Sequence, residues 1–421
     1  MRLFYSIGIG LYAFAVRLAA PFNTKARQLA AGWRQWRGKV PFNTLDGHKV
    51  AWFHASSLGE FEQARPVMES FRRQHQEYKV CLTFFSPSGY EIRKNYSGAD
   101  IVCYLPPDTR RNAKAFIALI HPDVAFFVKY DFWFNYLEQL HSRQTPTFLF
   151  SAIFRPSQYF FRWYGRWFAR QLHCYSHIFV QNAESATLLK SAGVDHVSLA
   201  GDTRFDRVVD IARSAKPIEP VERFLKACDC DNVLVAGSSW EPDERNIKGF
   251  LDKYHKPLAL ILAPHVIDDS HLRGIERLFG NDRCVRFSQI KESPSNDKCI
   301  NKSILIIDNI GMLSSIYQYA TVAYIGGGFG KGIHNILEAT AYDIPVCFGP
   351  NYLKFKEACD MIACGGAKSY TTSDELTHIL SSWIDDKSAR DKAITMCHSV
   401  MEHEIGSTQK IMTKVEQLVC Q

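Results

Sequence analysis

Residues 323–350 of the chain, AYIGGGFGKGIHNILEATAYDIPVCFGP, join two short apolar runs through a glycine-rich turn. The pattern predicts a strand at 323–325, a turn, a helix that begins near His334, and a second strand at 344–348. Five of the seven residues 326–332 are glycine, and each glycine raises the entropic cost of ordering the backbone. Such a turn is typical of places where main-chain N–H groups approach an anion at a helix N-terminus, so the stretch predicts a phosphate site.

The side chains that follow the turn fit a nucleotide ligand. His334 and Asn335 fall on the predicted first helical turn and can donate to a phosphate, and Glu338 lies one turn later on the same face. A carboxylate there can accept hydrogen bonds from two sugar hydroxyls. The alternative is an ordinary strand-to-helix turn, in which His334 caps the helix and Glu338 is solvated. The glycines predicted to contact the ligand are Gly327, Gly328 and Gly330.

Composition describes a globular protein of two domains. The chain has 421 residues, 46% of them hydrophobic and 22% charged, and it contains no repeat or long low-complexity tract. The net charge of +7 is concentrated in residues 1–50, which carry eight Lys or Arg against the single acid Asp46. A basic N-terminus before a neutral body predicts contact with an anionic lipid surface. No nucleic-acid-binding motif accompanies this charge, so we expect no nucleic-acid partner.

The cysteines predict a reducing compartment and no metal. Twelve cysteines lie along the chain without a repeated spacing, as is typical of reduced residues in a cytoplasmic protein. Cys228 and Cys230 are too close together for an ordinary zinc knuckle. The acidic residues 229–231 precede a predicted strand and are interpreted as a turn. We therefore expect neither a metal ion nor a cofactor.

The N-terminus predicts a membrane-associated helix. Residues 3–16 form an apolar run of fourteen residues, which is short for an unbroken membrane span of about 20 residues and suits an interfacial helix. A cleaved signal peptide is the rival interpretation, against which the cysteine pattern argues. The segment 25–39, with Trp33 and Trp36 among basic residues, is predicted to lie at the lipid headgroups.

Alternating strands and helices in the first half predict a parallel sheet covered on both faces. The first strand, 50–55, is followed by the turn HASSLGE at 54–60, and ligands gather where parallel strands end. Glu60 is therefore a candidate general base, with Ser57 and Gly59 beside it on the acceptor side. The alternative is a first-turn glutamate that only favours the helix dipole. The other strands expected in this half are 80–85, 101–105, 124–128, 147–150, 177–180 and 197–200.

A second alternation follows a proline-containing linker and predicts a second parallel sheet, so that two Rossmann-like halves face a cleft. Its first strand precedes GSSWEPDE at 237–244 and its second precedes Pro264 and His265, near the glycine turn. Ser238 and Ser239 are expected either to donate to the ligand or to cap the next helix. The strands expected here are 233–237, 258–263, 285–287, 304–307, 322–325 and 346–348.

The stretch RPSQYFFRWYGRWFARQL at 155–172 predicts a helix with one basic stripe at four-residue spacing, surrounded by aromatic rings. Such a helix fits the level of the lipid headgroups or a phosphate-bearing lipid acceptor. A core helix whose arginines extend to solvent is the alternative. The basic residues of this stretch are Arg155, Arg162, Arg166 and Arg170.

Taken in order, six motifs give the chain a family resemblance. It resembles the 3-deoxy-D-manno-octulosonic acid (Kdo) transferases of Gram-negative lipid A biosynthesis, from about residue 1 to past residue 355. The motifs are WFHASSLGE at 52–60, SAIFRPSQYF at 151–160, FVQNAESATLLKSAG at 179–193, GDTRFDR at 201–207, ILAPH at 261–265 and GGGFGKGIHNILEATAYDIPVCFGP at 326–350.

The resemblance implies a GT-B fold, the donor CMP-Kdo, the acceptor lipid IVA, and inversion at the anomeric carbon without a metal. It implies that Glu60 is the base and that Gly330, His334, Asn335 and Glu338 bind CMP. The enzyme would work at the cytoplasmic face of the inner membrane of a Gram-negative bacterium. The expected domains are a membrane helix at 1–22, an acceptor domain at 23–206, a linker at 207–222, and a donor domain at 223–421 whose last helix packs back on the acceptor domain.

Three positions depart from the commoner family pattern. A Pro-Arg-His segment is replaced by Pro264 and His265, so one contact to phosphate or carboxylate is in question, and Lys331 is a candidate for the missing charge. An acidic motif begins here with Lys129 and keeps Asp131 on the acceptor side. An Asn-Ala-Arg motif ends here in Ile153.

Two other functions remain open from the sequence. One is a UDP-sugar transferase or 2-epimerase of the same architecture. The other is a membrane-associated protein that binds a nucleotide or lipid without turnover, an interpretation to which the departures lend some weight.

Overall fold

The computed structural model of the protein describes residues 2–38, 40–292 and 302–419. Lys39, at the end of the segment predicted to lie at the headgroups, is outside the described residues, as are the first residue and the last two of the predicted terminal domains. The described chain divides into two units. The first contains residues up to 207 together with those from 405 onward, and the second contains 208–404.

The first unit is built on a seven-stranded parallel sheet with the order β3-β2-β1-β4-β5-β6-β7. Its central strands are continuous apolar runs that are buried on both faces, as expected for a parallel sheet. The strands are β1 (Lys49–Ala55), β2 (Tyr78–Phe84), β3 (Ile101–Tyr104), β4 (Val124–Val128), β5 (Thr147–Ala152), β6 (His177–Val180) and β7 (Val197–Leu199).

Helices cover both faces of this sheet, because successive side chains of a strand point to opposite sides. Trp52 packs in one buried cluster and Phe53 in another. The helices are α1 (Arg2–Ala19), α2 (Thr24–Gln35), α3 (Leu58–Gln74), α4 (Pro87–Arg93), α5 (Arg110–Ile120), α6 (Phe134–Ser142), α7 (Arg166–Gln171), α8 (Ala183–Ser191) and α9 (Thr203–Arg213).

The second unit repeats the architecture with a parallel sheet of order β10-β11-β9-β8-β12-β13-β14. Its strands are β8 (Val233–Ser239), β9 (Ala259–Pro264), β10 (Cys284–Arg286), β11 (Ile304–Ile306), β12 (Val322–Ile325), β13 (Val346–Phe348) and β14 (Ala367–Ser369). Its helices are α10 (Glu219–Cys228), α11 (Glu241–Lys253), α12 (Asp269–Phe279), α13 (Phe287–Glu292), α14 (Leu313–Ile316), α15 (Leu337–Thr340), α16 (Lys356–Cys364), α17 (Ser373–Asp385) and α18 (Lys387–Glu404).

The last helix, α19 (Ser407–Val419), belongs to the first unit. Asp206 accepts hydrogen bonds from the backbone N–H groups of Gly406 and Thr408, both at 2.6 Å, at the start of the helix. Ile411, Met412 and Val415 are buried in the same apolar cluster as Phe53. The end of the chain therefore completes the core beneath β1.

The two parallel sheets confirm the α/β class and the alternation of strands and helices read from the sequence. Every strand expected there is present within two residues at each end, and β14 is an additional strand. The helix expected to begin near His334 is wrong in its start, because the regular turns are confined to α15 from Leu337. The stretch 207–222 is partly helical, since α9 continues to Arg213 and α10 begins at Glu219.

The aromatic stretch 155–172 does not form the single helix predicted for it. A short 3-10 turn spans Tyr159–Phe161, and α7 begins only at Arg166. Gly165 explains the break, because a Cβ atom there would lie 1.6 Å from the carbonyl oxygen of Tyr159. Arg162 is therefore separated from the helix that carries Arg166 and Arg170.

Helix α1 is attached along one side and exposed along the other. The Tyr5 hydroxyl donates to Asp108 at 2.6 Å, Arg2 pairs with Glu138, and the Tyr12 ring stacks on Phe85. The residues on its open side are large and apolar, namely Leu3, Phe4, Ile7, Leu11, Phe14 and Leu18. By length and composition, the helix is long and apolar enough to cross a membrane.

Trp33 and Trp36 lie elsewhere than the sequence predicted. Both side chains are buried against the first unit, and Trp33 donates to the carbonyl oxygen of Leu105 at 3.1 Å. They therefore hold α2 on the protein and are not available to lipid headgroups.

Candidate active site

Glu60 lies in the first turn of α3, immediately after the end of β1. Ser57 is the N-cap of this helix, and its hydroxyl oxygen accepts from the Glu60 N–H at 3.5 Å. The same hydroxyl donates to the Glu60 carboxylate at 2.6 Å. Gly59, between them, is exposed, and Glu60 is half-buried. The capping interaction fixes the direction of the carboxylate while leaving it partly accessible.

A buried polar chain lies beside Glu60 and includes Asp131, which follows β4. The Ser56 hydroxyl donates to one oxygen of Asp131, and the Ser56 N–H donates to the other at 3.2 Å. His54 lies at the end of this row of polar side chains. Its Nε2 is 3.4 Å from the Ser56 hydroxyl oxygen and 4.0 Å from an Asp131 carboxylate oxygen. Its Nδ1 is 2.8 Å from the hydroxyl of Thr83.

Burial favours the neutral forms of both titratable groups in this chain. Burial raises the pKa of Asp131 well above its usual value, and the negative charge of Glu60 raises it further, against the hydrogen bonds from Ser56. Burial also lowers the pKa of His54 to about 3. A neutral Asp131 places no second negative charge beside the Glu60 carboxylate.

In the second unit, the corresponding edge is formed by the loops after the neighbouring strands β9, β8 and β12. Asp243, in the first turn of α11, connects two of these loops. One oxygen accepts from the N–H of Trp240 at 3.0 Å and from the N–H of Gly327 at 2.9 Å, and the other accepts from the Tyr324 hydroxyl at 2.7 Å. This buried carboxylate fixes the glycine turn against the start of α11.

Two glycines of the turn lie so close to neighbouring atoms that a larger residue would not fit. Gly327 has φ of +90°, and a Cβ atom there would lie 2.6 Å from the Gly332 oxygen and 2.9 Å from the His334 ring. A Cβ on Gly328 would meet the backbone of Gly349, whereas Gly330 is exposed and has room for one. The N–H groups of Gly326, Gly327 and Gly330 already donate within the protein. Those three amides therefore have acceptors within the protein, and their role as phosphate donors stays a prediction.

His334 lies among aromatic rings that follow the neighbouring strands. His265 stacks on Trp240 at 4.7 Å and on His334 at 4.4 Å between ring centroids. The Trp240 Nε1–H donates to His334 Nε2 at 3.1 Å. The structure thus brings His265 and His334 together with a tryptophan that was not singled out in the sequence.

The two serines after β8 have different surroundings. Ser239 is fully buried and donates to Glu244 at 2.9 Å, and Pro264 beside it is also buried. Ser238 is half-buried and has a left-handed backbone with φ of +54°, a strained conformation for a residue other than glycine. Of the two, Ser238 is the one that is partly accessible at the end of the strand.

Glu338 is held on both carboxylate oxygens. Ser314 donates to one at 2.7 Å and the Asn335 side chain donates to the other at 3.1 Å. Asn335 is exposed and Glu338 is half-buried, so the pair is accessible from the loop side. Lys331, at the tip of the glycine turn, is exposed.

The basic residues predicted for the acceptor side remain on the surface. Arg155, Arg162, Arg166 and Arg170 are all exposed, and Trp163 between them is 89% exposed. Two of the departures lie at strand ends: Lys129 follows β4 with φ of +59°, and Ile153 follows β5. They are part of the same edge as Asp131.

Several site residues escaped the sequence analysis although they lie within the quoted stretches. Ser56 and His54 are part of HASSLGE, and Trp240 and Asp243 are part of GSSWEPDE. The acid three residues after Trp240 is the N3 position of a capping box, which was an available signal for Asp243. No local pattern identifies Trp240 as a partner of His334, because the two are 94 residues apart.

Comparison with known proteins shows which family the first unit resembles. Residues 31–207 match the family described as 3-deoxy-D-manno-octulosonic-acid transferase (kdotransferase). The protein of that name from Rickettsia felis is 23% identical over 90% of this chain and 81% of its own length. The protein of the same name from Aquifex aeolicus is 26% identical over 78% of this chain and 84% of its own length.

Solved structures share the architecture of this chain. The UDP-GlcNAc 2-epimerase of Neisseria meningitidis, bound to UDP-GlcNAc, matches with a TM-score of 0.60 at 16% identity. The match covers 89% of this chain and 100% of that chain. At this identity the likeness concerns the fold alone, which is of the GT-B type.

Proposed function

We propose that this protein transfers Kdo from CMP-Kdo to lipid IVA, with inversion at the anomeric carbon and without a metal ion. The observation that carries the proposal is the similarity to Kdo transferases over most of the chain, in which Glu60 and the glycine turn fall at the ends of parallel strands. Ligands of such sheets gather at that edge.

In the first unit, Glu60 is the general base. It removes the proton from a primary hydroxyl of the lipid A disaccharide as the hydroxyl oxygen attacks the ketosidic carbon of Kdo. The bond between that carbon and the phosphate oxygen breaks, and CMP leaves with the electron pair. The Ser57 hydroxyl aims the Glu60 carboxylate, and Asp131 stays protonated beside it.

In the second unit, the loops after β8, β9 and β12 hold CMP. His334 and Lys331 act on the phosphate, and Gly327, Gly328 and Gly330 allow it to approach the backbone. The accessible pair of Asn335 and Glu338 contacts the ribose hydroxyls. Ser238 and His265 contact the nucleotide from the neighbouring loops, while buried Ser239 and Pro264 support those loops. Donors fixed in place before the reaction stabilise the leaving group without reorganisation.

Membrane attachment belongs to the first unit. The open apolar side of α1 enters the lipid interface, and Arg162, Arg166 and Arg170 contact anionic headgroups or the phosphates of lipid IVA. Because Tyr5 and Arg2 are bound to the domain, α1 lies along the interface and does not cross the bilayer. The proposed location is the cytoplasmic face of the inner membrane of a Gram-negative bacterium.

The test is transfer by the full-length protein, with CMP-Kdo and lipid IVA in vesicles, read out by mass spectrometry and by NMR of the new anomeric linkage. We expect a Kdo adduct of inverted configuration, formed equally well with a chelator present. Turnover of UDP-GlcNAc in place of CMP-Kdo would indicate an epimerase. Absence of product while both substrates bind would indicate a binding protein.

Vesicle flotation tests the attachment separately. We expect the protein to float with vesicles that contain anionic lipids, and to lose this binding when Leu11 and Phe14 are both replaced by glutamate. Equal flotation of the variant would contradict the proposed role of α1.

A further inference from the structure

Three aromatic side chains meet at the carboxyl edge of the second sheet, each from the loop after a different strand. Trp240 follows β8, His265 follows β9, and His334 follows β12. These strands are neighbours in the order β9-β8-β12, which places the three loops side by side. His265 stacks on both other rings, with interplanar angles of 27° to Trp240 and 26° to His334.

The hydrogen bond between Trp240 and His334 fixes which nitrogen of His334 carries a proton. The indole Nε1–H is only a donor, so His334 Nε2, 3.1 Å away, must be the unprotonated acceptor. A neutral imidazole has one protonated nitrogen, and that nitrogen is then Nδ1. The two ring nitrogens of a histidine are not equivalent. The hydrogen bond that one of them makes sets which of the two is protonated, and this determines what the side chain can do.

The surroundings of the ring keep it neutral. Burial, together with a smaller contribution from the nearby His265, lowers the pKa of His334 to about 4. The groups that face the ring are Trp240, His265 and the backbone around Gly327. At neutral pH, His334 therefore binds a ligand as a hydrogen-bond donor and not as a cation.

Trp240 is itself held in position through its backbone. Asp243 accepts from the N–H of Trp240 and from the N–H of Gly327 with the same oxygen. The indole and the glycine turn that precedes His334 are thus attached to one buried carboxylate. This arrangement fixes the distance between the indole nitrogen and the imidazole without any contribution from ligand.

The Nδ1 edge of His334 faces away from these contacts. The Cδ2–Nε2 edge is the one near Gly327, where an added Cβ would lie 2.9 Å from Cδ2 and 3.2 Å from Nε2. Within residues 2–38, 40–292 and 302–419, no hydrogen-bond partner of His334 Nδ1 is found. The ring is half-buried, so this nitrogen is open to a ligand.

We propose that Trp240 is a positioning residue that holds His334 in the Nδ1–H tautomer, so that His334 donates from Nδ1 to an anionic oxygen of the bound nucleotide. The proposal rests on the proposed function for the identity of the nucleotide. The role of Trp240 in setting the tautomer does not depend on it.

The first test is long-range proton–nitrogen NMR of the full-length protein labelled in its histidines, with His334→Gln used to assign the signals. We expect Nδ1 of His334 to show the shift of a protonated nitrogen and Nε2 that of an unprotonated one. In Trp240→Phe, which keeps a ring against His265 but has no N–H, this preference should be lost. A protonated Nε2 in the unaltered protein would overturn the proposal, and that result needs no variant to fold.

The second test is CMP binding by calorimetry. Loss of one hydrogen bond to a charged group should weaken binding about tenfold in Trp240→Phe and in His334→Gln. The double variant should bind no more weakly than His334→Gln, because both changes remove the same contact. Additive losses would overturn the proposal. Trp163→Phe, the same substitution at an exposed site in the first unit, should leave both the tautomer and CMP binding unchanged.

The two tests separate the inference from the function. If the unaltered protein binds no CMP but binds UDP, the proposed donor is wrong, and the NMR result still decides whether Trp240 sets the tautomer. If CMP binds and the tautomer is unaffected by Trp240→Phe, the function stands and the positioning role fails.

Discussion

The site at the end of the first sheet is built around two carboxyl groups, whereas the site at the end of the second is built around aromatic rings and a glycine turn. In the first, burial and the charge of Glu60 force Asp131 toward its neutral form. In the second, burial favours the neutral form of the His334 ring. Both carboxylate oxygens of Asp243 already accept hydrogen bonds, from two backbone N–H groups and a tyrosine hydroxyl. Under the proposed function, the first site is the one that transfers a proton and the second is the one that holds the anionic donor.

Glu60→Gln should give the largest effect. The amide keeps the size of the side chain but cannot accept the proton, so transfer should fall at least about a hundredfold. CMP binding should be nearly unchanged, because the proposed CMP contacts all lie in the second unit. The measurement is the rate of Kdo transfer beside the calorimetric Kd for CMP. Retained turnover would remove Glu60 from the role of base.

Gly327→Ala should affect the second site strongly and the first not at all. The left-handed backbone and the contact with the His334 ring should destabilise the second unit by about 1–3 kcal/mol and weaken CMP binding. Gly330→Ala is the matched control for the loss of stability alone, since its Cβ would meet only the Gly327 oxygen at 3.6 Å. Thermal unfolding and CMP titration of both variants provide the measurement. Equal behaviour of the two variants would mean that the shape of the turn is not required.

Asp131→Asn should give the smallest but most specific effect, seen in how stability depends on pH. The native pKa of Asp131 is raised, so above pH 4 the folded state binds more protons than the unfolded state, and stability falls as pH rises. Asparagine resembles the protonated acid and lacks this loss. Relative to the unaltered protein, the variant should therefore gain stability as pH rises above 4.

Asp100 provides the control of opposite sign. Burial alone would raise its pKa, but hydrogen bonds from the Val80 N–H and Lys79 lower it below the usual value. Its contribution to stability is present above pH 4 and lost as pH falls. Asp100→Asn should therefore lose stability relative to the unaltered protein as pH rises from 2 to 5. Urea unfolding at several pH values measures both variants, and the same sign for both would contradict the assignment of Asp131 as neutral.

The sequence predicted the sheets well because their strands are continuous apolar runs. A run such as residues 124–128, buried along its whole length, is typical of a parallel sheet covered on both faces. It predicted the aromatic stretches poorly. The rings of 159–168 show no clear period, and the break at Gly165 depends on a contact with the Tyr159 backbone that no local pattern reveals. Trp33 and Trp36 have the composition of an interfacial segment, but packing against the first unit outweighs that tendency.

The individual site residues divide in the same way. Glu60 and His334 could be selected because they follow strands in recognisable turns, whereas the partners that set their chemistry come from other strands. Asp131 reaches Ser56 across 75 positions of sequence, and Trp240 reaches His334 across 94. Only the order of strands in each sheet brings such pairs together. The use of the Gly326, Gly327 and Gly330 amides within the protein was hidden for the same reason.

The return of the last helix to the first unit makes the second unit an insertion within the first. Residues 208–404 could be expressed as one uninterrupted polypeptide, but no single cut yields the other unit whole. A stop codon placed just before Ser407 would remove Ile411, Met412 and Val415 from beneath β1. During synthesis on the ribosome, the sheet that carries Glu60 must therefore wait until residues 407–419 have been made before its core is closed.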